Sequence, residues 1–234
     1  MKVIPAIDLI NGSCVRLYQG DFSKTTEVAS NPKSQLLRFI EDGAEMIHIV
    51  DLDGARIGSP KQFELINTLT SLSKVPIEVG GGVRDLETIE KYISIGVSRI
   101  VLGTSALEDQ MFLKDALTQY NNQIVIGIDA KNGKVAARGW EMVSEVNYID
   151  FAKKMEQLGV QTIIYTDITK DGTMSGPNLE ELEQISKAVS CTIVASGGIR
   201  SVEDLHSLSE IGISEAIVGK AIYEGKVKLQ GERI

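Results

Sequence analysis

The chain has 234 residues, 43% of them hydrophobic and 24% charged, which is ordinary for a soluble globular protein and enough for one sizeable core. A net charge of −8 excludes a broad surface for nucleic acid or anionic membrane, yet leaves room for local anion sites built from backbone amides and a few basic residues. The two cysteines, Cys14 and Cys191, make neither a metal-ligand spacing nor a disulfide framework, and no run approaches the roughly 20 apolar residues of a membrane span.

The first apolar run covers 3–7 and ends at Asp8. That carboxylate breaks the run too early for a secretory signal, so a cytoplasmic protein is expected. The polar stretch 18–30 reads as a mobile lid. Residues 31–42 have helical period, with Leu36, Leu37, Phe39 and Ile40 on one face and Gly43 as a stop. The pattern then recurs. Strands are expected at 46–50, 75–79, 99–102, 123–128, 161–165, 191–195 and 215–218. Helices are expected over 59–72, 85–95, 105–120, 147–158, 178–189 and 201–211, with a short last one after Lys220. The strands are rich in Val and Ile and several are apolar on both faces, as in parallel strands covered by helices. Eight alternating units in this length predict a single (β/α)8 barrel of TIM type, one domain over 1–234.

An internal repeat divides the chain. Asp8-Leu9-Ile10-Asn11-Gly12 matches Asp129-Ala130-Lys131-Asn132-Gly133. Gly81-Gly82-Val83-Arg84 matches Gly197-Gly198-Ile199-Arg200, Ile95-Gly96 matches Ile211-Gly212, and Gly103 matches Gly219, all 116 residues apart. A two-fold half-barrel repeat is expected, with halves of about 1–120 and 121–234.

In such barrels the active site lies at the C-terminal ends of the strands. Those ends carry Asp8, Asp51, Asp129 and Thr166-Asp167, and the glycine runs Gly80-Gly81-Gly82 and Ser196-Gly197-Gly198. They also carry Gly103-Thr104 and Gly219-Lys220. Strand, glycine, then helix start lets an anion approach unpaired backbone amides. Gly197, Gly198, Gly219 and Lys220 therefore form one expected phosphate clamp, and Gly81, Gly82, Gly103 and Thr104 its counterpart across the mouth. Two clamps suit a long substrate with a phosphate at each end. Asp8 and Asp129, equivalent in the repeat, are candidates for general base and general acid, or for turn caps. Thr166 either bonds Asp129 or simply ends a strand. His48 is a ligand contact or a core histidine. Arg84 reaches an anion or makes a surface ion pair. Trp140 stacks on a heterocycle or packs in a lid. No metal cluster, GxGxxG or P-loop is present in the sequence, and no cofactor is expected.

Several segments together resemble a known family. They are Ile4-Pro5-Ala6-Ile7-Asp8-Leu9-Ile10-Asn11-Gly12, Val15-Arg16-Leu17-Tyr18-Gln19-Gly20-Asp21 and His48-Ile49-Val50-Asp51-Leu52-Asp53-Gly54-Ala55. Gly80-Gly81-Gly82-Val83-Arg84, Gly139-Trp140, Tyr165-Thr166-Asp167-Ile168 and Asp171-Gly172-Thr173 complete the set. The chain resembles the phosphoribosylformimino-5-aminoimidazole carboxamide ribotide isomerases of histidine biosynthesis over nearly its whole length. The resemblance implies an intramolecular oxidoreductase that runs an Amadori rearrangement of an aminoaldose to an aminoketose, without metal or cofactor. It implies Asp8 as the base that removes the C2′ proton, Asp129 as the acid that opens the ribose ring, and Thr166 as the support of Asp129. The expected partner is a small bis-phosphorylated molecule, with no nucleic acid or membrane, and the expected state is a monomer. Three alternatives share parts of this pattern. One is the cyclase subunit of imidazole glycerol phosphate synthase. Another is a bifunctional isomerase that also takes phosphoribosylanthranilate. The third is a phosphosugar sensor that needs the clamps but not the aspartates.

Overall fold

The computed structural model describes residues 1–229. Its strands are β1 (Lys2–Ile10), β2 (Ser13–Tyr18), β3 (Asp21–Ala29), β4 (Ile47–Asp51), β5 (Ile77–Gly80) and β6 (Arg99–Leu102). They continue with β7 (Ile124–Lys131), β8 (Lys134–Ala137), β9 (Met142–Asn147), β10 (Thr162–Asp167), β11 (Thr192–Ser196) and β12 (Glu215–Val218). Eight of these run parallel in the order β10-β11-β12-β1-β4-β5-β6-β7, and pairing of β10 with β7 closes the ring. The fold is a closed (β/α)8 barrel, as the alternating pattern predicts.

The helices are α1 (Pro32–Glu41), α2 (Leu52–Ile57), α3 (Phe63–Leu72), α4 (Leu86–Ser94), α5 (Thr104–Glu108) and α6 (Gln110–Tyr120). Then come α7 (Tyr148–Gln157), α8 (Leu179–Ala188), α9 (Val202–Glu210) and α10 (Lys220–Tyr223). Asn31, Asp85, Asn147 and Asn178 cap α1, α4, α7 and α8, each side chain accepting a backbone N–H of the first turn.

Five departures from the sequence expectation have local causes. Residues 18–30, expected as a lid loop, are largely strand: β3 pairs antiparallel with β2 over most of that stretch. A second hairpin, β8 with β9, follows β7. Both hairpins are entered through Asn-Gly turns that join β1 to β2 and β7 to β8, with Asn11 at φ 48° and Gly12 at 81°, and Asn132 at 52° and Gly133 at 74°. Two successive positive φ values define the turn that best matches strand twist. Pairing with β2 and β8 also carries β1 and β7 beyond Asp8 and Asp129. The helix expected over 105–120 is two, because Asp109 turns extended (φ −127°) and caps α6 through Phe112 N. The helix expected over 59–72 starts only at Phe63, and the unforeseen α2 precedes it, capped by Asp51 and stopped by Gly58 at φ 88°.

The core has two layers. Ile7, Leu9, Ile47, Ile49, Ile126 and Ile128 face outward against helix residues such as Leu36, Phe39, Leu113 and Phe151. Ile4, Ala6, Met46, Val125, Ile164, Val194 and Ile217 fill the barrel interior, with Val101 packed on them. The interior is therefore a plug, and the mouth above it has a floor. Alternation along each strand decides which layer a residue joins.

Candidate active site

Asp8, Asp129 and Thr166 share one cavity at the C-terminal mouth of the barrel. All the other sequence-predicted site residues line it too: Gly81, Gly82, Gly103, Thr104, Gly197, Gly198, Gly219, Lys220, Arg84, His48 and Trp140. Asp51 and Asp167 do not. They are buried loop anchors. Asp51 accepts the backbone N–H of Gly54, Lys61 and Gln62 at 2.7, 2.6 and 2.8 Å. Asp167 accepts Thr169 N and Asn178 Nδ2, each at 2.8 Å.

The two remaining acids sit in unlike surroundings. Asp8, on β1, accepts a charge-assisted hydrogen bond from Arg16 Nη1 of β2. The Arg16 guanidinium also lies 5.6 Å from the Tyr223 ring centroid. Asp129, on β7, is pushed above the ordinary carboxylate range by burial. Trp140 and Thr166, as side-chain donors, and the neighbouring His48 ring pull it the other way without cancelling the burial. One carboxyl is thus paired with a guanidinium, and the other is biased by burial towards its protonated form.

The glycine loops need glycine. Gly81, Gly82, Gly197 and Gly198 have φ of 106°, 76°, 91° and 80°. A Cβ on Gly82 would stand 2.7 Å from Gly54 O, and one on Gly198 2.4 Å from Gly176 O. Gly103 and Gly219 share another backbone shape, φ −108° with ψ −89° and φ −105° with ψ −95°, at the starts of α5 and α10. The repeat thus recurs in conformation as well as in letters. Each side of the mouth also carries a cation: Arg84 beside Gly58 and the first loops, Arg16 and Lys220 beside Gly219.

The two hairpins cover the mouth. Trp140, in the β8–β9 turn, packs its ring on Gly20 of the β2–β3 turn, where a Cβ would come 2.2 Å from Cε3. The same indole also lines the mouth and donates to Asp129. Gln19 reaches across as well: its N donates to Asp171 O at 3.0 Å and its Nε2 to Thr169 O at 2.7 Å. His48 is buried, with Nδ1 2.7 Å from Glu78 Oε1.

Sequence reasoning missed two residues as individual groups. Arg16 was visible only inside a longer motif, and nothing local reveals that β2 folds back to place it against Asp8. Asp171, in the loop after β10, lines the cavity with its carboxyl pushed up to about 6 by burial and by the charges of Asp8 and Asp129, against the pull of Arg16. The Asn-Gly pairs were the available signal for the hairpins, and so for Arg16.

Fold and site define a two-fold (β/α)8-barrel protein with acidic side chains set between two glycine-loop sites in one mouth. The model of the histidine biosynthesis protein family matches residues 2–228, and the chain belongs to that family. A relative from Clostridium botulinum (strain Kyoto / Type A2) is 52% identical over 229 residues, 98% of this chain and 95% of that one. Relatives from Bacillus cereus (strain G9842) and Bacillus anthracis (strain CDC 684 / NRRL 3495) are 50% and 49% identical over 230 residues, 98% of this chain and 96% of each. Each is named 1-(5-phosphoribosyl)-5-((5-phosphoribosylamino)methylideneamino) imidazole-4-carboxamide isomerase.

Proposed function

We propose that the protein is the aldose–ketose isomerase of histidine biosynthesis that its relatives are named for, and that it rearranges the bis-phosphoribosyl aminoaldose to the aminoketose. The observation that carries the mechanism is the pair of unlike carboxyls, Asp8 and Asp129, in one mouth between two glycine-loop sites. The glycine loops and their cations hold the two phosphates, Gly81, Gly82, Gly103, Thr104 and Arg84 at one end and Gly197, Gly198, Gly219 and Lys220 at the other. Asp129, supported by Thr166, gives its proton to the ribose ring oxygen as the C1′–O bond breaks and a C1′ imine forms. Asp8 then takes the C2′ proton. The resulting enolamine regains a proton at C1′ as its C2′ hydroxyl becomes the ketone, so product and substrate are isomers and no redox partner is consumed. The two hairpins shield the imine from water.

Asp171 supports a second reading of the acid. Its pKa of about 6 suits a group that must be protonated near neutrality, and it faces the same mouth. The family names weigh against the cyclase alternative, and two acids of opposed character weigh against a sensor that needs neither. The mouth holds both glycine-loop sites and the carboxyls between them, which suits a small bis-phosphorylated substrate. Two free cysteines suit the cytoplasm, and no helix among the described residues is long and apolar enough to cross a membrane.

The test is a direct assay on the aminoaldose, without metal or ammonia. Wild type turns over, and Asp8→Asn and Asp129→Asn each bind substrate but lose at least about 10² in kcat. An inactive wild type that instead consumes the ketose with ammonia would replace the isomerase by the cyclase. If Asp129→Asn keeps its rate and Asp171→Asn loses it, the acid is Asp171.

A further inference from the structure

Beneath the mouth the barrel holds a row of charges that the reaction above does not use. His48, Glu78 and Arg99 are register partners on the neighbouring strands β4, β5 and β6. His48 Nδ1 lies 2.7 Å from Glu78 Oε1, and Arg99 Nη1 lies 3.6 Å from Glu78 Oε2. The same Nη1 is 2.9 Å from Glu215 Oε2, and Lys2 Nζ is 3.0 Å from Glu215 Oε1. Glu78 is 0% exposed, and its Oε2 has no hydrogen-bond partner among the described residues.

Such a row is costly. Taking a carboxylate fully out of water loses several kcal/mol of hydration, and well-packed apolar side chains often serve stability as well. The barrel itself shows the apolar option. The positions 116 residues on from His48 and Glu78, on β10 and β11, are Ile164 and Val194, paired in the same register and packed in the interior plug. Arg99 does not require Glu78, because Glu215 holds it at a shorter distance. Only the half that places His48 in the mouth carries an acid at this register position, where the other half has Val194.

We infer that Glu78 is a positioning residue for the isomerisation, which fixes His48 as the Nδ1–H tautomer so that Nε2 faces the mouth as an acceptor for a substrate hydroxyl. A buried carboxylate on one ring nitrogen holds both the orientation of the imidazole and the place of its proton. Arg99, Glu215 and Lys2 supply the charge that keeps this carboxylate inside the barrel. The inference rests on the isomerase reading for its effect on turnover, but not for the tautomer.

The chain has two histidines, and His206 is exposed on α9, so ring 15N signals of the whole protein separate a buried histidine from a solvent-exposed one. His48 is expected as Nδ1–H in wild type. Glu78→Val copies the residue of the other half and removes the acceptor, so the tautomer is lost and kcat falls about tenfold or more with little change in KM. Glu78→Gln keeps a neutral acceptor, retains the tautomer and recovers most of that loss. In a His48→Asn background, Glu78→Val costs nothing further in kcat. An Nε2–H signal in wild type overturns the proposal whether or not the protein is an isomerase. So does a loss from Glu78→Val that is equal in both backgrounds, which would mark Glu78 as structural only.

Discussion

At the scale of single residues the site works by unequal environments. Asp8 and Asp129 occupy equivalent places in the repeat, yet one meets Arg16 and the other meets burial, an indole and a threonine. Asp171 adds a third carboxyl that the fold leaves strained. Its pKa is raised to about 6, so the native state binds a proton that the unfolded chain, with an ordinary carboxyl at 3.8, has released. Stability from this group is full below about pH 4 and is lost as pH rises through 6. Removing the charge should therefore help the fold while harming the site. Asp171→Asn is expected to be more stable than wild type at pH 7.5 by about 1–2 kcal/mol, the roughly two-unit shift discounted for solvent screening, and no more stable at pH 4. Urea melts at the two pH values check this, and an equal effect at both would disprove it.

At the scale of elements, the decisive parts are the two hairpins laid over the mouth. Each is joined to the barrel sheet through one strand, β2 on β1 and β8 on β7, and its outer strand, β3 or β9, is an edge. They are held by contacts between turns: Gly20 under Trp140, Gln19 on Asp171 and Thr169, and Arg56 over Phe22 at 5.2 Å. Gly20 has φ 71° and no room for a Cβ beneath the indole. Gly20→Ala is expected to lift the indole off the β2–β3 turn. Because Trp140 is the sole tryptophan, its emission should move to the red, and kcat/KM should fall about tenfold while the barrel stays folded. Unchanged emission with unchanged kinetics would show that this contact does not close the lid.

At the scale of the whole molecule, mouth and core are separable. The plug and the outer layer fix the strands, and the strand ends fix the site. Ile49, fully buried in the outer layer on β4, points away from the mouth one residue after His48. Ile49→Ala should cost about 2–5 kcal/mol and lower Tm by about 2–4 °C for each of them, with KM unchanged. Calorimetry beside steady-state kinetics checks both halves of that statement.

The eight barrel strands, their parallel order and the glycine loops were legible in the sequence. Each depends on local causes: apolar period, β-branched content, and turns that only glycine can make. The 116-residue repeat added a global clue, since equal loops on opposite strands must face each other once the ring closes. Asn11-Gly12 and Asn132-Gly133 carried the hairpins in plain view, although their first meaning was the repeat. What stayed hidden was which charged side chains meet: Arg16 on Asp8, Glu78 between His48 and Arg99, Asp171 among two acids and an arginine. Residue types and spacing determine where backbone can turn and which face of a strand is apolar. Only the tertiary structure decides which charges are brought within a few ångströms of one another and out of water, and those two quantities set the protonation on which the chemistry depends.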